Sequence, residues 1–196
     1  MPPWFAGVTY GFFNTRLVHD HDIALQEDQM SVILGRRLGI YTVHANIGTV
    51  LGGTLETQGR TFTVERGWLA SVGVARRWIL GADRSWFVTG SLTLGASSAP
   101  TREGEVQGEN ITATDMRMGV IGGVTLWDTL SPYLLVRAFG GPVFWAKDDK
   151  ELVAGDAYHY NLGSGMSVEL PGNVIALVDA SVLGERSLSF GVSMLF

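Results

Sequence analysis

Four consecutive residues could ligate a metal or move protons: His19, Asp20, His21 and Asp22, in the stretch VHDHD. Imidazole and carboxylate bind divalent cations, and the same groups serve as general bases in hydrolysis. Neighbouring side chains in one short loop point to opposite sides, however, which suits a single site poorly. A solvated acidic loop is the plainer reading and the one adopted. The stretch YHYN at 158–161 sets His159 two residues before Asn161. A hydroxyl at that spacing would make a nucleophile and base, but a carboxamide does not. The chain has no cysteine, so disulfides, thiolate metal sites and thiol nucleophiles are excluded. No catalytic residue, metal site or cofactor is expected.

A second set of polar residues gains meaning only from the elements that carry it. Apolar and small or polar residues alternate with period two along nearly the whole chain, and helical spacing is almost absent. This pattern predicts ten strands: 4–14, 28–38, 40–56, 60–79, 85–99, 111–128, 133–147, 157–170, 173–183 and 186–196. Tight connectors carrying turn residues fall near 39 and at 81–84, 129–132, 171–173 and 184–186. Longer or more polar ones fall at 15–27, 57–59, 100–110 and 148–156. The exception is the short GER turn at 184–186, which by strand order belongs with the longer set. The scheme is an antiparallel up-and-down meander filling residues 1–196 as a single domain. Eight strands follow instead if the turn at 39 or 184 is misread. Pro142 falls inside the seventh strand behind Gly140 and Gly141, where a β-bulge is expected.

One face of every strand is apolar. Val43, Ala45, Ile47, Leu51 and Leu55 share it on the third strand, and Met116, Met118, Val120, Val124 and Leu126 on the sixth. Its charges are Arg36, Arg66 and Arg76, all near strand ends. Its aromatics also gather at the ends. Trp4, Tyr41, Trp78, Trp86 and Phe196 lie at the tight-turn end. Phe12, Phe62, Trp68, Phe144, Tyr158 and Tyr160 lie toward the other. Two aromatic girdles around an aliphatic band are what a bilayer selects. Backbone edges cannot face hydrocarbon, so the sheet must close. The expected fold is therefore an all-β, closed, antiparallel transmembrane β-barrel of about ten strands.

The whole chain resembles the small outer-membrane β-barrels of Gram-negative bacteria, the class of OmpX and the OmpA barrel. Phe190, Val192, Met194 and Phe196 share one parity at the end of the chain. They resemble the terminal strand signal of that class. The resemblance implies an outer-membrane location, a lipid bilayer around the wall and recognition by the barrel-assembly machinery. The start of the sequence shows no secretory signal, so such a segment is expected to have preceded this numbering. The omptin proteases are also ten-stranded barrels, with Asp and His at the outer rim, but this chain is much shorter. The lipid A deacylases carry His-x-Ser where this chain has His159 and Asn161.

Polar residues on the opposite, inward face then line a small lumen. Arg137, Glu169 and Asp179 fall on consecutive strands in the tight-turn half, and Arg37, His44 and Arg77 in the same half on strands two to four. Together they are expected to form a charged layer across the periplasmic mouth, either structural or acting as an ion-selective gate. His159 is also assigned to the inward face. Strands three to six look long enough to project as a ribbon toward an extracellular partner, or merely to overshoot in a sheared barrel. The net charge of −5, with no basic run, gives no sign of a nucleic-acid partner. Charged residues make up 17% of the chain and mean hydropathy is +0.19. A non-catalytic structural, adhesive or narrow-pore role follows. A lipid- or peptide-directed enzyme and a lipocalin-like ligand-binding barrel are the alternatives. The lipocalin-like form is opposed by the apolar outer face.

Overall fold

The computed structural model describes residues 3–18, 22–82, 85–147 and 150–196. Thirteen strands run through them: β1 (Trp4–Val18), β2 (Asp22–Leu38), β3 (Tyr41–Thr57), β4 (Arg60–Val64), β5 (Gly67–Leu80), β6 (Trp86–Glu103), β7 (Val106–Val124), β8 (Leu130–Gly140), β9 (Val143–Lys147), β10 (Lys150–Asp156), β11 (Tyr160–Leu170), β12 (Val174–Leu183) and β13 (Arg186–Leu195). All pairings are antiparallel, and no helix occurs among the described residues.

The rise from ten strands to thirteen has three physical causes. Glu65 and Arg66 interrupt the fourth expected strand, dividing it into β4 and β5. Gly141 and Pro142 interrupt the seventh, dividing it into β8 and β9. This is a break rather than the expected bulge, because the register on β7 is the same on both sides: Met116 faces Gly140 and Ala113 faces Val143. The Pro142 carbonyl still accepts from the Thr114 amide at 3.1 Å. The third addition is β10, in a segment read as loop. Most of 15–27 and 100–110 is strand as well. The connectors at that end are as short as those at the other, so the difference between the ends lies in strand length.

The pairings form two circuits. In the lower one, β1, β2, β3, β5, β6, β7, β8, β11, β12 and β13 follow in turn, and β13 returns to β1 through Phe5↔Leu195 to Asn14↔Arg186. In the upper one the ring is β1, β2, β3, β4, β6, β7, β9 and β10, and β10 returns to β1 through Leu17↔Asp156 and Val18↔Gly155. The β12–β13 hairpin ends below this level, and β10 passes over its tip. Ten staves narrow to eight.

The two rings have opposite polarity. In the lower ring the outward residues are apolar, including Val8, Val32, Leu34, Ile47, Val72, Leu94, Met118, Val136 and Val192. In the upper ring Asn14, Arg16, Gln26, Thr54, Glu56, Thr61, Thr63 and Arg102 point outward and are exposed. Leu17, Ile23, Leu25, Val50, Leu55, Phe62, Val64, Ala99, Ile111, Val143, Trp145 and Ala154 are buried inside it as one cluster. Leu55 and Phe62, expected on the lipid face, are thus interior. A one-residue irregularity opposite Asp28, where Gly52 takes φ +152°, reverses the faces of upper β3. The break at Glu65–Arg66 does the same between β4 and β5. A one-residue slip moves every following side chain to the other face.

Candidate functional site

The lower lumen holds charges singled out from the sequence. Arg137 on β8 lies 3.6 Å from Asp179 on β12. Asp179 is buried, while Glu169 on β11 is exposed and stands apart from the pair. The Arg77 guanidinium lies 3.9 Å from the centre of the Phe87 ring across the β5–β6 ladder. His44 sits against Gly73, where a Cβ would come within 2.6 Å of the imidazole. Arg37 donates from Nε to the Gly39 carbonyl at 3.3 Å, in the β2–β3 turn. The arrangement includes one ion pair, one cation–π stack and an arginine bonded to its own turn. His159, expected inward, is exposed beside Gly140. The Asn161 side chain is fully buried among β8, β11 and β12.

The strongest polar cluster lies higher, where the rings meet. Arg117 on β7 pairs through Nε with Asp115 and through its two terminal nitrogens with both oxygens of Glu185, at 3.2 and 3.4 Å. Glu185 is 3% exposed and occupies the β12–β13 turn. Gly184 before it has φ +77°, and a Cβ there would collide with the Tyr160 carbonyl oxygen. The turn is short because it tucks beneath β10 and directs a carboxylate inward. Buried Glu27 accepts from Gln29 at 3.2 Å nearby. These groups line a cavity of about 280 Å³ that also touches Phe13, Thr15 and Phe139. Parity alone places Asp115 and Arg117 inside. The signal for their partner was the one turn that broke the loop pattern.

Above the cavity the apolar cluster fills the eight-stave ring. Phe62 and Trp145 meet edge to face, with centroids 4.9 Å apart. The Trp145 indole donates to the Thr101 hydroxyl at 3.2 Å, so even its polar atom is satisfied inside. An eight-stranded barrel is just wide enough for side chains to fill.

On the outer wall, Trp4, Tyr41, Trp68, Trp78, Trp86, Phe144, Tyr158 and Tyr160 are all exposed. So are Phe190, Val192, Met194 and Phe196, which face Tyr10, Val8, Ala6 and Trp4 of β1. Trp4 and Phe196 exchange two backbone hydrogen bonds of 2.9 and 3.1 Å. His19, Asp20 and His21 lie outside the described residues, and Asp22 opens β2. Among the described residues no group of three His, Asp or Glu side chains is placed to hold a metal ion.

No family model and no curated protein matches the chain. Solved structures do. The transport unit of the autotransporter AIDA-I from Escherichia coli is 12% identical with a TM-score of 0.55, over 99% of this chain and 90% of that one. The translocator domain of NalP from Neisseria meningitidis is 12% identical with a TM-score of 0.55, over 97% and 87%. The β domain of the Bordetella autotransporter BrkA is 9% identical with a TM-score of 0.54, over the full length of both. The chain has the fold of the Gram-negative outer-membrane β-barrels. Within that class the likeness reaches the fold alone and assigns no family.

Proposed function

We propose that the chain is a non-catalytic integral outer-membrane protein, a closed barrel whose upper ring stands above the bilayer as a surface structure. One observation carries this reading: the inversion of polarity between the rings. About ten residues of apolar outer wall, rising ~3.3 Å each and tilted about 40°, span the ~25 Å that a membrane barrel requires. Above them the wall turns polar outside and apolar inside, as a barrel in water does. The exposed aromatics at both ends of the band act as girdles. The two termini then lie at the periplasmic end. The upper ring faces outward, where a partner would meet β2, β3, β4, β6 and β7. Insertion would proceed through the barrel-assembly machinery, with β13 as the recognised strand.

AIDA-I and NalP are described as transport and translocator units, but the filled upper ring here favours a structural or adhesive role over passage. The test is conductance of the purified protein in a planar bilayer, together with heat-modifiable gel mobility. A slower, unfolded band on boiling and no channel events are expected. Discrete channel events in the wild type would replace the closed barrel with a narrow pore.

A further inference from the structure

Two arginines of the outer wall stand near the end of the barrel that holds Pro3 and Phe196. Arg36 on β2 faces Trp4 on β1 and Val43 on β3. Arg76 on β5 faces Tyr41 on β3 and Gly90 on β6. Each guanidinium lies over aromatic rings: Arg36 at 4.9 Å from the Trp4 centroid, Arg76 at 4.9 Å from Trp78 and 5.8 Å from Tyr41. Gly90 is part of this seat, since the Trp78 ring lies 3.3 Å from where a Cβ would stand. Neither arginine has an acidic partner among the described residues. The outward acid on their own strands is Asp28, about eight residues up β2 from Arg36 and hence ~26 Å away. It is already bonded by the Tyr10 hydroxyl at 2.7 Å.

We propose that Arg36 and Arg76 form a seat for the phosphate groups of an anionic glycerophospholipid in the leaflet at this end of the barrel. The inference rests on the membrane-barrel reading above and adds a lipid class and a location to it. The chemistry is that of the guanidinium fork, whose parallel N–H groups match two phosphate oxygens. The aromatic faces hold each fork by its π-surface, so its donor edge stays free for a headgroup. The two forks flank β3 about two strand spacings apart, ~10 Å across the wall. They leave Val43 and Tyr41 between them for the glycerol and upper acyl carbons. Among the described residues neither guanidinium is engaged in an ion pair, so both are available to a phosphate from the membrane.

The experiment reconstitutes the full chain in vesicles of phosphatidylcholine carrying a minor fraction of spin-labelled phosphatidylglycerol or, in a parallel arm, spin-labelled phosphatidylcholine. The motionally restricted lipid is then compared between arms. Wild type is expected to prefer the anionic lipid, by about fivefold per arginine. R36Q and R76Q each lose part of the preference and the double variant all of it. The pair R36K/R76K keeps the charge but lacks the fork, and is expected to fall between wild type and the double glutamine variant, which separates charge from bidentate geometry. An R102Q variant, altered in the upper ring, matches wild type. Equal restriction of the two lipids by wild type, or a preference that survives in the double glutamine variant, would overturn the seat. Failure of the wild type to insert would overturn the membrane reading as well, and heat-modifiable mobility of each sample tells the two failures apart.

Discussion

Arg117 is the residue on which the junction of the two rings depends. It satisfies Asp115 and Glu185 together, and Glu185 has almost no access to solvent. Arg117→Met is expected to leave two carboxylates unpaired and to cost about 2–3 kcal/mol. That is below the usual value for breaking a buried pair, because the Arg117 side chain is itself 36% exposed. Urea unfolding in lipid vesicles measures it. The double variant R117M/E185Q should lose less than R117M alone, since the buried charge goes with its partner. Gly184→Ala belongs beside it. The added Cβ meets the Tyr160 carbonyl and φ +77° disfavours a side chain, so the turn must move and carry Glu185 away from Arg117. Thermal unfolding should show destabilisation of the order of 1–3 kcal/mol. Sequence parity placed Arg117 and Asp115 in the lumen correctly. It did not join them to Glu185, because a turn residue has no parity to read.

At the scale of the element, β4, β9 and β10 form a small apolar interior with the upper ends of their neighbours. Phe62→Ala or Trp145→Ala removes a large ring from it and should cost about 3–5 kcal/mol. The effect should be local. Amide exchange is expected to quicken in β4, β9 and β10 while β12 and β13 keep their protection. Uniform quickening across the wall would mean that the upper ring has no stability of its own. This ring was the least legible part of the fold. Its strands were read partly as polar loops, because their outward residues are those of a soluble surface. Leu55 and Phe62 were given to the lipid face because alternation was carried unbroken through Gly52 and through Glu65–Arg66. A slip at either point leaves the composition unchanged and the faces exchanged. Pro142 did announce its interruption, since a closed wall has no edge to receive it.

For the whole molecule, the wall was legible because the outward residues of the lower ring keep to one apolar pattern at once. β1, β2, β6, β12 and β13 each show the same alternation, and the expected closure of β13 on β1 is seen residue by residue. That closure ends in the reciprocal hydrogen bonds of Trp4 and Phe196. Deleting Phe196 removes both, and lower yields of heat-modifiable barrel in the membrane fraction are expected. Unchanged yields would show that the seam closes without them. The narrowing from ten staves to eight was not legible, because it rests on Leu17 and Val18 meeting Asp156 and Gly155 across most of the chain. One edge of β1 serves two partners, β13 below and β10 above. The β12–β13 hairpin is thus a gusset, a wedge let into one side of an eight-stave tube. It widens the girth of the apolar wall and leaves the rim unaltered. In a barrel so tailored, the circumference of the apolar wall and the circumference of the polar rim are separate dimensions, and a whole hairpin can be let in or taken out of one without recutting the other.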